Sequence, residues 1–321
     1  MVGDIGATNA RFALVAPGSS DIENIQSLKC EDFDNIQSAI SFYISSFLEL
    51  DIVSACFATA GTVHLDVFKL ANNHWTINKS DVAKTLNGVT IKWINDFTAQ
   101  AFATTTLTDS EVITLNKGIV EPEKLRLVIG PGTGLGVCGL IMSPSGWLPI
   151  AGEGGHSDFA PNTSIEYEIL TLLAKKFGHV AVERILSGPG IMNLYEALCQ
   201  INGKDRIYTT PSEITAAAVN AGADPIADET IQMFCKIFGS VAGSMALTVG
   251  ALGGVYITSD LVRNFIDLFI ESDFQKSFES KGRLQPVLED IPVYLSKKKN
   301  MGLIGTVYEI NNYWMQKGFK V

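Results

Sequence analysis

The sequence predicts an α/β chain built from two units. Short apolar runs typical of buried strands alternate along it with segments of helical periodicity. Its 321 residues suit two domains. A glycine-rich pattern also occurs twice, as "GDIGATNARFALV" from Gly3 and "GPGTGLGVCGLIM" from Gly130, each a turn running into an alternating strand. Hydrophobic residues make up 46% of the chain and charged residues 18%, which supports a packed core and argues against disorder.

Taken in order, "RFALVA" (Arg11–Ala16) is a strand, and "NIQSAISFYISSFLEL" (Asn35–Leu50) has apolar residues at helical spacing. "SACFATAG" (Ser54–Gly61) and "VTIKWIND" (Val89–Asp96) are short apolar runs, as expected of buried strands. "LRLVIG" (Leu125–Gly130) and "GVCGLIM" (Gly136–Met142) are strands flanking a glycine turn. "TSIEYEILTLLAKKFG" (Thr163–Gly178) predicts a helix opened by a Thr163/Glu166 capping box and closed by glycine. Helices follow near Pro211–Asn220 and Pro225–Leu247, then the strand "GVYIT", an amphipathic helix near Leu261–Phe274 and a C-terminal helix near Leu303–Met315.

The net charge of −10 disfavours a nucleic-acid surface. It leaves nucleotide binding open, since Mg²⁺ can carry the neutralising charge. The five cysteines, Cys30, Cys56, Cys138, Cys199 and Cys235, lie in apolar segments without a C-x-x-C pair. They predict core thiols in a reducing cytosol rather than disulfides or a cysteine zinc site. No charged segment followed by an apolar one opens the chain, so no signal peptide is expected. From Ile237 to Ser259 the chain carries no charge, long enough to span a bilayer. Glycines and hydroxyl residues dilute that stretch, and the expectation is a buried helix, a glycine turn and a buried strand, with no membrane partner.

Three kinds of phosphate loop can be told apart by context. A Walker A loop needs Gly-Lys followed by Ser or Thr, but Gly203-Lys204 is followed by Asp205. A Rossmann loop runs from strand to helix. Gly134, Gly136 and Gly139 match its letters, yet a strand follows them, and a strand also follows Asp4–Asn9. The third kind is a glycine turn between antiparallel strands, whose backbone N–H groups and Thr or Asn side chains point at phosphate oxygens. Two such hairpins can hold a triphosphate between them, with an acid on the first near hydrated Mg²⁺. Either turn by itself is also an ordinary tight hairpin.

"WINDFTAQ" places Asn95 and Asp96 at the carboxyl end of an apolar strand, where ligands collect in open α/β sheets. A carboxylate there can accept a proton from a hydroxyl undergoing phosphoryl transfer; an Asx turn at a strand end is the plainer alternative. "AGEGGHSDFAP" (Ala151–Pro161) packs Glu153, His156 and Asp158 into a glycine-rich loop suited to a polyhydroxylated ligand. As a zinc site its ligand spacing is poor, and a polar surface loop remains possible. Glu183, in "VERILSGPG", is either a further ligand or an exposed helix glutamate. His64, His74 and His179 are expected to be structural or surface residues.

Together these segments resemble the bacterial glucokinases of the group that lacks the zinc-containing ROK signature. The likeness runs over nearly the whole chain: "GDIGATNAR", "NHW", "INDFTA", "GPGTGLGV", "GEGGHSDFAPN", "GHVAVERILSGPG", "IPVYL" and "GLIGT". The resemblance implies the actin-like (hexokinase-type, ribonuclease H-like) two-domain α/β fold with mixed sheets. It implies a small domain of residues 1–106 plus 297–321, a large one of 107–296, and a central cleft holding the active site. It implies transfer of the ATP γ-phosphoryl group to the 6-hydroxyl of D-glucose, with Asp96 as the base. Asn95, Asp96, Glu153, His156 and Glu183 would bind the sugar. Gly3, Asp4, Ile5, Gly6, Ala7 and Thr8, with Gly132, Thr133 and Gly134, would hold ATP, and Asp4 would hold Mg²⁺ through water. A cytoplasmic homodimer completes the expectation.

The chain departs from that family's pattern in three places. Ala7 stands where the first loop usually has glycine, and its methyl costs about 1 kcal/mol or more if φ is positive. Ser259-Asp260 stands where a Gly-Gly pair usually follows the "GGVYI" strand, so the adenosine end of the site is expected to be more crowded and more negative. That substitution keeps open a sugar-binding regulator with impaired ATP binding, alongside a kinase for another hexose. Lastly, only Met1 and Val2 precede Gly3, where relatives have several apolar residues; a clipped or re-annotated start is expected, its short first strand held by its sheet neighbours.

Overall fold

The structure, a computed structural model, describes residues 1–61, 63–70, 73–220 and 224–318. The chain divides into two units. One gathers Met1–Thr108, Met142–Ala151 and the chain from Lys298 on; the other holds Asp109–Ile141 and Gly152–Lys297.

In the first unit, β1 (Val2–Ile5), β2 (Asn9–Leu14) and β3 (Glu23–Lys29) form an antiparallel meander, and β4 (Ser54–Thr59) lies parallel to β1. After the hairpin β5 (Val67–Lys69) and β6 (Thr76–Asn78) comes β7 (Thr90–Asn95), parallel to β4, giving the sheet order β3-β2-β1-β4-β7. The side-chain alternation of the strands builds two cores. Ile5, Phe12 and Phe57 turn to one face, where Ile36, Ala39, Ile40 and Tyr43 of α1 (Ile36–Ser45) cover them. A capping box between Asn35 and Ser38 starts that helix. Val2, Ala13 and Cys56 turn to the other face. Helices α2 (Lys79–Thr85) and α3 (Asp96–Ala103) follow β6 and β7.

The second unit begins with β8 (Val112–Asn116), β9 (Arg126–Pro131), β10 (Leu135–Ser143) and β11 (Gly146–Gly152). Helices α4 (Ser164–Phe177), α5 (Gly188–Ile201), α6 (Pro211–Val219) and α7 (Pro225–Val249) come next. Strand β12 (Val255–Ile257) then lies parallel to β9, and after α8 (Asp260–Arg263), α9 (Ile266–Glu271), α10 (Phe274–Glu279) and α11 (Gln285–Glu289), β13 (Val293–Ser296) pairs with β12 and β8. The chain returns to the first unit as α12 (Met301–Gln316), whose Leu303, Val307 and Ile310 cover Val2, Ala13 and Cys56. Leu303, Val307, Ile310 and Val2 each contribute about 1.5–3 kcal/mol on burial.

Helix α7 is long and apolar enough to cross a membrane, but 61% of its most apolar stretch is buried within the protein. It ends at Gly250, in the left-handed region at φ +68°, and a turn leads to β12. It is therefore a core helix followed by a turn and a strand, as expected.

Three expectations need correction. Residues 142–151 group with the first unit rather than with 107–296: the Trp147 N–H donates to the Tyr308 hydroxyl of α12 at 3.2 Å, and Gly146, at φ +106°, lies against Tyr308 and Asn312. The Thr163/Glu166 capping box does not form. The Thr163 hydroxyl donates to Glu166 (2.9 Å), and the other carboxylate oxygen accepts the Asn162 N–H (2.7 Å), so buried Glu166 anchors the incoming loop. Finally, Leu261–Phe274 is not one helix but parts of α8, α9 and α10. The breaks let Phe265, Phe269 and Phe274 pack around Phe234 and Phe238 of α7. Gly239 and Gly243 of α7 admit the α10 backbone, since a Cβ on either would strike the Phe274 or Phe278 carbonyl.

Candidate active site

The first glycine turn joins β1 to β2, and the Gly6 N–H donates to the Asn9 carbonyl at 2.9 Å. Ala7 is not among the residues at positive φ, so its methyl carries no backbone strain. The turn is held from outside. The Asn73 amide donates to the Gly6 carbonyl (3.2 Å) and the Ala7 carbonyl (3.1 Å), and the Cys30 N–H donates to the Thr8 carbonyl (2.8 Å). A 620 Å³ cavity lies beside it, lined by Ala7, Thr8, Cys30, Lys69, Asn73 and His74 among others.

Asp4 follows Val2 on the α12 face of the sheet. A Cβ on Gly302, in the first turn of α12, would lie 2.5 Å from Asp4 Cγ. The helix N-terminus is thus set against the carboxylate, the favourable end for a negative charge. Burial pushes the Asp4 carboxyl above its ordinary value, and the Arg11 guanidinium, 3.4 Å away, pulls against that shift.

The same sheet places Asn95 and Asp96. Ile5, Thr59 and Asn95 pair across β1, β4 and β7 at their carboxyl ends, so Asp96 leaves the edge on which the first turn stands. Asn95 caps α3, its side-chain Oδ1 accepting the N–H groups of Phe97 (2.9 Å) and Thr98 (3.2 Å). Asp96 opens α3 and also accepts the Phe97 N–H, at 2.8 Å. The Asx turn and the placement of the carboxylate are one feature: the cap directs Asp96.

In the second unit the turn Gly132–Gly134 joins antiparallel β9 and β10. The Gly132 carbonyl accepts the Gly188 N–H at 2.8 Å, which ties the turn to the start of α5. Glu183 lies in a short 3-10 turn, Val182–Arg184, and is half-buried rather than exposed on a helix. Its Oε2 accepts the Leu135 N–H at 2.8 Å. The loop with Glu153 and His156 packs on the same residue, because a Cβ on Gly155 would lie 2.3 Å from the Leu135 carbonyl oxygen. Glu153 and His156 themselves are exposed. Asp158 pairs with His179 at 2.6 Å, and His74 meets the Phe33 carbonyl at 3.0 Å. His64 is exposed.

Ser259 is buried and turned inward. Its hydroxyl donates to the Pro131 carbonyl at 2.5 Å and accepts the Val262 N–H at 3.0 Å, capping α8. Asp260 is exposed and pairs with Arg263.

The chain that carries these turns and this capped carboxylate matches a family model described as Glucokinase over residues 1–312. The chain belongs to the glucokinase family. Membership makes it an ATP-dependent hexose kinase of the group distinct from ROK proteins. It is 46% identical over 312 residues to the glucokinase of Hahella chejuensis, covering 97% of each chain. A solved glucokinase from an Antarctic psychrotroph superposes with a TM-score of 0.86 at 32% identity, covering 97% of this chain and 98% of the other. A glucokinase from Balamuthia mandrillaris, solved in complex with glucose, has a TM-score of 0.81 at 21% identity over 96% and 92% of the two chains and shows the shared actin-like fold.

Several residues around these glucokinase-family segments had no role assigned from sequence. Asn73, Arg11 and Gly302 stand within "NHW", "GDIGATNAR" and "GLIGT", so their signal was the motif itself. Leu135 offered no signal, because its contribution is a backbone N–H.

Proposed function

We propose that the chain phosphorylates D-glucose at the 6-hydroxyl with the γ-phosphoryl group of ATP. Asp96 accepts the hydroxyl proton as the oxygen attacks phosphorus, and the bond to the β–γ bridging oxygen breaks to release ADP. Asn95, Glu153, His156 and Glu183 hold the other hydroxyls. Gly3–Thr8 and Gly132–Gly134 hold the phosphates. The observation that carries this reading is the Asn95 cap, which fixes Asp96 at the carboxyl end of β7 beside the first glycine turn. Such catalysis is largely positioning and electrostatics.

Asp4 is the residue that would hold Mg²⁺, through water. Among the described residues no three His, Cys, Asp or Glu side chains converge as a metal cage. A lone carboxylate suits an ion that keeps most of its waters and binds phosphate oxygens. Bound there, Mg²⁺ would neutralise charge on the phosphates.

Inward-facing Ser259 weakens the case for a regulator with an impaired nucleotide site. The glucose complex of the Balamuthia relative supports glucose as the acceptor. We infer a cytoplasmic homodimer; the five thiols are free and buried, which suits a reducing compartment.

ADP release over a panel of hexoses tests the reading. Glucose is expected to be the preferred acceptor, whereas sugar binding without turnover at millimolar MgATP would exclude a kinase. Asp96→Asn is expected to lose turnover by at least about 100-fold while calorimetry still shows glucose binding. Near-normal turnover would remove Asp96 as the base.

A further inference from the structure

Glu183 touches the second phosphate turn directly. Its Oε2 accepts the N–H of Leu135, the residue after Gly134, at 2.8 Å. The carboxylate also covers Gly134, where a Cβ would lie 2.4 Å from Oε2. Among the described residues Oε1 has no hydrogen-bond partner, so the two oxygens are differently placed.

The surrounding backbone holds this geometry from both sides. The Ser187 hydroxyl donates to the Glu183 carbonyl at 2.8 Å, and the Gly188 N–H donates to the Gly132 carbonyl at 2.8 Å. The Glu183 segment is also joined to the loop that follows His156: the Val182 N–H donates to the Ser157 carbonyl and the Phe159 N–H to the Val180 carbonyl, both at 2.9 Å. Gly155 of that loop packs on the Leu135 carbonyl. Leu135 therefore meets both sugar-side segments, one at its N–H and one at its carbonyl.

Resting on the glucokinase reading above, we propose that Glu183 couples the sugar to the phosphate turn: Oε1 takes a sugar hydroxyl while Oε2 holds the Leu135 N–H. A sugar on Oε1 fixes the carboxylate plane and orders Gly132–Gly134 before the nucleotide arrives. Linkage requires the converse, so a nucleotide seated on that turn tightens the sugar by the same factor. Gly134 is part of the device, because any side chain there would displace the carboxylate. Glu183 is a positioning residue for the phosphate turn as well as a sugar ligand.

Hydrogen exchange of the peptide spanning Gly130–Gly136 tests this in the intact protein, with and without saturating glucose and with no nucleotide present. In the unsubstituted protein glucose is expected to slow exchange at Leu135 about tenfold, within the usual range of site-to-site coupling. In Glu183→Ala at saturating glucose the slowing is expected to vanish. Glu183→Gln has one acceptor where the carboxylate has two, and is expected to lose most of it. If Glu183→Ala does not fold, Glu183→Gln decides. A glucose effect absent from the unsubstituted protein, or retained in full by the variants, overturns the coupling. Calorimetry separates the two readings. An unchanged glucose affinity in Glu183→Ala removes Glu183 from the sugar site, whereas weakened affinity with the exchange effect retained removes only the coupling.

Discussion

Gly302 lies so close to Asp4 that a single added methyl group would meet the carboxylate, with 2.5 Å between the new Cβ and Asp4 Cγ. Asp4 is also paired with Arg11, at 3.4 Å. Gly302→Ala must therefore displace either Asp4 or the first turn of α12. Turnover is expected to fall about 100-fold, the scale set by ångström misplacement of a reacting group. The protein is expected to lose about 1–3 kcal/mol of stability to overpacking. ADP release and thermal melting measure the two effects, and unaltered turnover would mean that the position of Asp4 is not critical.

Asn73 donates to two successive carbonyls, those of Gly6 and Ala7, through one amide nitrogen. Flipping either peptide group would break one of these hydrogen bonds. Asn73→Ala removes two hydrogen bonds, each worth about 0.5–1.5 kcal/mol net. The expected result is roughly a tenfold rise in KM for ATP, with kcat changed less. Asn73→Asp is expected to be worse, because it sets a carboxylate against two carbonyl oxygens. A KM for ATP unchanged in both variants would show that the turn holds its shape without this clamp.

Strands β2, β4, β7, β9, β10 and β12 and both hairpin turns were legible in the sequence because their signals are local: apolar runs, period-two alternation and glycine punctuation. Most of the features that escaped it depend on partners far along the chain. Residues 142–151 run on directly from a strand, yet they group with the first unit, where they meet Tyr308 and Asn312 of α12. The residues after Ser259 have helical periodicity, yet packing of Phe265, Phe269 and Phe274 around α7 breaks the helix. Thr163 and Glu166 have capping-box spacing, but the buried carboxylate takes the Thr163 hydroxyl and the Asn162 N–H instead. Around the candidate site, the place of Asp96 at a strand end was legible because a strand end and an Asx cap share two adjacent residues. The link from Glu183 to Leu135 was not, because a backbone N–H leaves no trace in residue identity.

The Ser259 hydroxyl bridges the Pro131 carbonyl to the cap of α8. Ser259→Ala removes that cap and is expected to cost about 1 kcal/mol, lowering the melting temperature by about 2–4 °C. Ser259→Gly is expected to cost only a few tenths of a kcal/mol in cap strength, roughly the small loss glycine shows at such positions. Because the side chain faces inward, neither change should improve ATP binding. A lower KM for ATP in both variants would show that Ser259 crowds the nucleotide after all.

Glu309 of α12 faces Lys92 at 3.7 Å. Burial pushes its carboxyl above the ordinary 4.5, and Lys92 pulls against that shift. Other charged and titratable groups also face this site: Cys56, whose thiol burial drives well upward, and Tyr313, whose ring lies 4.8 Å from the Lys92 ammonium. The folded protein thus keeps a proton that the unfolded chain has already released. Stability is greatest below the unfolded value, falls as pH rises through the window between the unfolded and folded values, and is level above it. Glu309→Gln cannot titrate, so its melting temperature is expected to change less with pH just above 4.5 and to exceed that of the unsubstituted protein near neutrality. Melting curves from pH 4 to 8 measure this; parallel curves for the two proteins would show that Lys92 already stabilises the charged form fully.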